Sequence, residues 1–288
     1  MRAMQDLLYW KAAEFRLFML YAGCVILKDK NTMEKKYYQH FIKFVVAMRF
    51  LLNDSTAESD LVVVTEILQT FVAECTNLYG VGFISYNVHS LLHLVDDYKM
   101  YGCLDGVSCF PFESYLGLLK NSVHSGHKPF QQVCKYVFHQ NSNALVLEKK
   151  RIKKTCNYLK VNGPVEGGLD LPAPYSSLCV TKYKKAVLQN ECIIKPSSLA
   201  DSTVKVGNII GRVHGVFACQ GSSYLALRKC RRVHNFFKRP VNSSDVGIYK
   251  VSYLSDTVHV FVLNSDICKC CCFPLGDEMV AVEMLHGM

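Results

Sequence analysis

The stretch VNGPVEGGLDLPAPY, residues 161–175, divides the chain into two parts whose hydrophobic residues repeat at different periods. Gly and Pro at this density interrupt helices and strands alike, so no regular element is expected to run through it. Ahead of it apolar residues recur every three or four positions, the spacing of one face of an α-helix. After Tyr175 they alternate with polar ones, the spacing of half-buried strands. Helices first and strands second imply an α+β chain: an all-helical domain over 1–157, a Gly/Pro linker over 158–175 and a small all-β barrel or sandwich over 176–288. SH3-like or Tudor-like barrels fit that size, an analogy of fold that carries no function.

Helices are expected over 5–21 (Leu7, Leu8, Phe15, Phe18 and Tyr21 in period, Gly23 as the stop), 34–52 and 57–79. Ser55 and Glu58 have capping-box spacing for the third, and Gly80 closes it. Asn87 is expected to cap a fourth helix that Gly102 ends. Pro111 opens a fifth over 111–124, and Pro129 a sixth. Beyond the divide, YSSLCVTKYKKAVL, ECIIKP, VKVGNIIGRVHGV, SSYLALRKCR, GIYKVSY, TVHVFVL and MVAVEML read as short strands.

Half of the 288 residues are hydrophobic, enough to bury a core. There is no 18-residue apolar run, so no membrane partner is expected. The N-terminus carries Arg2, Asp6, Lys11 and Glu14 among its apolar residues, which does not suit a signal peptide. The 14 cysteines are then expected to be reduced thiols in a nuclear, or alternatively cytoplasmic, protein. Cys268, Cys270, Cys271 and Cys272 lack a second pair at finger spacing and read as strand thiols rather than zinc ligands.

A formal net charge of +9 suits either a polyanionic partner or plain solubility. The charge is concentrated in two places. KKRIKKTCNYLK holds Lys149, Lys150, Arg151, Lys153 and Lys154, suited to phosphate contact, to nuclear import or to a solvated helix end. RKCRRVHNFFKR holds Arg228, Arg231, Arg232, Lys238 and Arg239 beside Phe236 and Phe237. Cations next to aromatic rings suit single-stranded nucleic acid, whose bases stack on rings, and equally suit a core strand with a basic loop.

Potential chemistry gathers in Tyr86–Lys120. His89 and His93 lie one helical turn apart and Asp97 extends their face, a spacing that can hold a metal; the glutamate of H-E-x-x-H is missing. The alternative is a pair of histidines hydrogen-bonded to backbone or to Asp96 and Asp97. Glu113 falls in the first turn of a helix, either complementing its dipole or held rigidly for a site.

WKAAEFRLFMLYAG (Trp10–Gly23), LYGVGFISYNVHSLLHLVDDYKMYGCLDGVSCFPFESYLGLLK (Leu78–Lys120) and PVNSSDVGIYKV (Pro240–Val251) together resemble the C-terminal part of CACTA/En-Spm-type transposases of animal genomes. The pairing of N-V-H-x-L-L-H-L-V-D-D with P-F-E-x-Y about twenty residues on carries the resemblance most specifically, by the spacing rule used for motifs. It implies an RNase H-like nuclease and strand transferase in the parent, with three carboxylates holding two Mg²⁺ or Mn²⁺ ions and DNA as the ancestral partner. Glu113 matches the third acid of such a site. No strands carrying two acids precede the first helix, so the chain is expected to be a C-terminal fragment, a degenerate copy or a derived protein, without a complete triad or a cofactor of its own. Two other functions stand beside it: a protein-interaction module that docks to a transposase core or another protein, and a metal-dependent enzyme acting through His89, His93 and Asp97.

Overall fold

The computed structural model describes residues 2–152, 160–165, 168–188, 192–263 and 266–285. Side chains at 143–152, 160 and 162 lie outside that description. Helices fill the N-terminal half and an antiparallel sheet the C-terminal part, an α+β chain. Two compact units result: Met1–Cys103 with Tyr158–Met288, and Leu104–Asn157.

In the first unit, α1 (Ala12–Leu17), a π-helical turn (Phe18–Ala22) and α2 (Gly23–Ile26) run on without a break. Gly23, expected as a stop, is inside this run. A Cβ there would come within 2.8 Å of the Phe41 ring and 2.9 Å of the Phe18 carbonyl, so glycine serves close packing instead. Trp10 tucks against Phe15 and Phe18 at centroid distances of 5.4 and 5.5 Å. The next pair, α3 (Lys35–Leu51) and α4 (Glu58–Tyr79), matches the expected 34–52 and 57–79. Ile42, Val45, Val46 and Phe50 of α3 and Leu61, Val64, Leu68, Phe71 and Cys75 of α4 are buried at helical spacing. By length and composition α4 could cross a membrane; its buried stripe packs on α3 instead.

The stretch 86–101 is not one helix. It comprises α5 (Tyr86–Ser90), a 3₁₀ turn (Leu91–His93) and α6 (Leu94–Tyr101). Its cap is Ser85, whose hydroxyl accepts from the Val88 N–H, not Asn87. The start of α4 has no side-chain cap, against the capping box expected there. Gly80 and Gly102 end α4 and α6 as expected. In the second unit α7 (Phe110–Asn121) starts with Pro111 in its first turn, followed by α8 (Pro129–Ile152).

The strands are β1 (Lys160–Val165), β2 (Thr181–Val187), β3 (Ile193–Ile194), β4 (Thr203–Val206), β5 (Ile209–Cys219), β6 (Ser222–Asn235), β7 (Ile248–Val262), β8 (Ile267–Leu275) and β9 (Glu278–Glu283). They form one sheet in the order β1-β2-β5-β4-β8-β9-β7-β6, with β3 on β2 and a further pairing of β5 with β6. The expected linker is structured at both described ends. β1 pairs with β2, and Leu171 is buried with Phe217, Cys219 and Ala226. Leu169 and Leu171 alternate with polar neighbours, and the burial they gain outweighs the Gly/Pro signal. GIYKVSY and TVHVFVL, expected as two strands, are one. The register with β6 shifts between Arg228 and Cys230, so a bulge accommodates the polar Ser255 and Asp256 without ending β7.

One side chain joins the helices to the sheet. Arg49 of α3 is fully buried and donates to three carbonyls: Leu20 at 3.0 Å, Glu283 at 2.9 Å and Val246. The Val246 carbonyl precedes Gly247, whose φ of +70° suits glycine. A Cβ at that position would also stand 3.2 Å from the guanidinium. PVNSSDVGIYKV thus has a structural role. Ser243, fully buried, accepts from Phe236 N–H and donates to the Ile248 carbonyl, closing the loop that presents Val246 to Arg49.

Candidate functional site

A cleft of about 770 Å³ opens between the loop 28–33, α3 and the turn after β6. Six cations line it: Lys28, Lys30, Lys35 and Lys43 from the helical side, Lys238 and Arg239 from the sheet side. Among the described residues no carboxylate lines it; Met33, Tyr38, Ile42, Phe237 and Pro240 supply its apolar wall.

Two of the six are engaged in holding the cleft together. Lys28 donates to the Phe236 carbonyl at 2.9 Å and lies 3.7 Å from the Phe236 ring centroid, a cation–π contact. Burial, and then the charge of Lys250, pull the Lys28 ammonium below its usual pKa. Lys43 is neutralised by Glu74. Tyr38 is fixed by donating to the Cys24 carbonyl at 2.8 Å. Lys30, Lys35, Lys238 and Arg239 are exposed.

Lys35 occupies the first turn of α3, which holds no acid and no side-chain cap. A helix N-terminus already carries about half a positive charge, so a lysine there costs roughly 0.3–1 kcal/mol of helix stability. A bound anion relieves that repulsion and satisfies free N–H groups. The electrostatics of the cleft therefore fit a phosphate-bearing ligand, with apolar surface beside the charge.

Lys238 also lines a neighbouring cavity with His234, Ser244 and Tyr249. There Tyr249 donates to Glu283 at 2.7 Å, and Glu283 accepts from Lys205 at 2.7 Å. Burial first, and then the hydrogen bond to the carboxylate, push the tyrosine pKa up to about 12.

Residues 159–284 match a family model described as a domain of unknown function (DUF8592). The match spans less than half of the chain and falls on the strands. No curated protein and no solved structure matches the chain.

The basic stretch 228–239 is divided by the fold. Only its end, Lys238 and Arg239, reaches the cleft. Arg231 is paired with Asp256 at 2.7 Å, and Arg232 lies 5.3 Å from the Tyr253 ring. Arg228 is half-buried near His214, which senses its charge. Phe236 is in the core at 4% exposure, and Phe237 lines the cleft. Lys149, Lys150 and Arg151 lie on the last turns of α8 with their side chains outside the described residues; Lys153 and Lys154 lie outside them altogether. Sequence reasoning missed Lys28, Lys30 and Lys35. Their stretch, LKDKNTMEKK, interleaves Asp29 and Glu34 with the lysines, and the fold turns the cations toward one space.

His89 and His93 stand with ring centroids 5.5 Å apart and are exposed, as are Asp96 and Asp97. The two rings therefore share a face, as their spacing predicted, although a 3₁₀ turn runs through it. Among the described residues no group of three or more His, Cys, Asp or Glu is placed to hold a metal. Glu113 is exposed in the first turn of α7, in the second unit. The donors present do not fit a two-metal centre. Cys268, Cys270, Cys271 and Cys272 lie on β8, where burial raises every one of their thiol pKa values, Cys268 to about 11.

Proposed function

We propose that this chain is a nuclear, nucleic-acid-associated module derived from the C-terminal region of a CACTA-like transposase, binding the phosphate backbone in the cleft between α3 and the turn after β6. The observation that carries the binding is the convergence of Lys30, Lys35, Lys238 and Arg239 from distant parts of the chain onto one acid-free, partly apolar concavity. Such a surface binds through counterion release. The descent from a transposase is supported by the sequence resemblance alone. The pairings β4–β5–β6–β7–β9–β8–β4 make a closed circuit, which we read as a small barrel.

This reading gives the chain no phosphoryl-transfer chemistry of its own. The acids on the described strands, Asp256, Glu278 and Glu283, are each tied to a cation: Arg231, Lys250 and Lys205. Glu113 is then a single carboxylate offered to a site that a transposase core would complete. Anisotropy with a fluorescent 20-nucleotide DNA, single-stranded and duplex, tests the binding. At low salt the protein is expected to bind, and K35E/K238E to bind at least roughly tenfold more weakly, as expected for lost phosphate contacts. Absence of binding by the unaltered chain at low salt overturns the reading.

A second reading, docking to a transposase core, is favoured by the second unit. Phe112, Leu116, Phe130 and Phe138 are 62–78% exposed there, large apolar side chains that a docked partner would bury. Co-purification of a separately expressed core should be lost in F112S/L116S if that face is the contact; an unchanged yield counts against it.

A further inference from the structure

The sheet carries a second cationic cleft that shares no residue with the first. It holds about 680 Å³ and is lined from β1, β2, the turn after β3 and β5. Lys182, Lys184 and Lys185 come from β2 and Lys195 from the turn; among the described residues no acid lines it. Asp201, close enough to Lys195 to feel its charge, is already held by Lys269. Lys182 and Lys184 share one face of β2, and like charges gathered at a concavity raise the energy of the empty site, which a bound anion reverses.

His214 adds a directional donor. It lies at a β-bulge, where the register of β5 against β6 shifts between Val213 and Gly215. Bulges re-aim a side chain that the regular pleat would send elsewhere, and here the imidazole lines the cleft. Burial, then Arg228, then Lys182 act to lower its pKa, with Asp170 opposing. Arg228 itself has a buried Nε–H without a hydrogen-bond partner among the described residues. An imidazole N–H among ammonium groups is a combination suited to phosphate oxygens.

We propose that this cleft is a second phosphate-binding site, taking the phosphodiesters of a nucleic-acid strand or the phosphates of a free nucleotide. It stands independently of the first cleft. The test uses the full chain and the histidine ring resonances, with His214 assigned through H214Q. Inorganic pyrophosphate and a dT20 strand are titrated into the unaltered protein, K182Q/K195Q and K35Q/K238Q. Movement of the His214 resonance, at least roughly tenfold weaker in K182Q/K195Q and unchanged in K35Q/K238Q, is the expected result. A response to dT20 identifies the strand as the source, and a response to pyrophosphate alone identifies free phosphates. A silent His214 with both probes, or one indifferent to K182Q/K195Q, overturns the proposal. The loss of dT20 anisotropy in K35Q/K238Q, with His214 still responding, reads the first cleft separately. Strand binding with a silent His214 sinks only this site; a pyrophosphate response without strand binding sinks only the first.

Discussion

Arg49 and His40 show how much a single buried polar side chain decides. The guanidinium of Arg49 is 1% exposed, and three carbonyls from the π-helical turn, the loop before β7 and the end of β9 accept its hydrogen bonds. Removing it takes away three hydrogen bonds from a charged donor, each worth about 1.5–3 kcal/mol. R49M is therefore expected to lose at least about 3 kcal/mol in urea unfolding, and R49K to recover little, because an ammonium cannot span three divergent acceptors. A loss under about 1 kcal/mol would show that the helices and the sheet do not depend on this side chain.

His40 lies 1% exposed between α3 and α4, stacked on Phe71 at 4.0 Å. Its Nε2 is 2.9 Å from the Phe71 carbonyl and its Nδ1 3.1 Å from the Tyr79 hydroxyl. That network assigns a neutral ring, Nε2–H donating and Nδ1 accepting. Burial lowers the pKa, so the unfolded chain takes up the proton first. Stability is then full above the unfolded value of about 6.5 and falls as pH drops below it. Burial shifts His214 and His259 in the same direction. The urea midpoint should be lower at pH 5.5 than at 7.5, with a smaller difference in H40Q; a midpoint that rises on acidification would contradict this.

Among the elements, α3 and β8 carry separate consequences of the sequence. Lys35 opposes the dipole of α3, so K35E should stabilise the fold by about 0.3–1 kcal/mol while weakening nucleic-acid binding. A thermal melt and a binding isotherm on the same variant check both signs. Burial keeps Cys270 of β8 well above its ordinary pKa, and Cys24 of α2 and Cys230 of β6 at about 11. In the native protein these thiols should resist a disulfide reagent, while exposed Cys109, Cys134 and Cys179 react. Fast modification of Cys270 would mean that β8 opens locally. Element types were legible wherever apolar residues kept a clear period, as in α3, α4 and β9; VKVGNIIGRVHGV, expected as one strand, is β4 and β5 paired across a turn at Gly207. They were misjudged where a local breaker signal was overruled by packing. Gly23 reads as a stop and is a close-approach residue; Gly and Pro in 161–175 read as a linker, yet Val165 pairs in a strand and Leu171 enters the core.

At the scale of the molecule, the candidate site is made by contact between parts far apart in the chain, and no local pattern announces it. Lys238 and Arg239 stood out because cations and phenylalanines adjoin in sequence. Lys30 and Lys35 did not, since acids between them hide the charge until the fold gathers them. The same distance effect separated Arg228, Arg231 and Arg232, adjacent in sequence, into three environments. The account therefore rests on four exposed cations acting as one surface. The most direct measurement is the affinity for a single-stranded oligonucleotide as a function of salt, for the unaltered chain and for K30Q/K35Q/K238Q/R239Q. Four phosphate contacts predict a slope of log K against log salt steeper by about 3 in the unaltered chain than in the variant, at roughly 0.7 per contact. Equal slopes would contradict it.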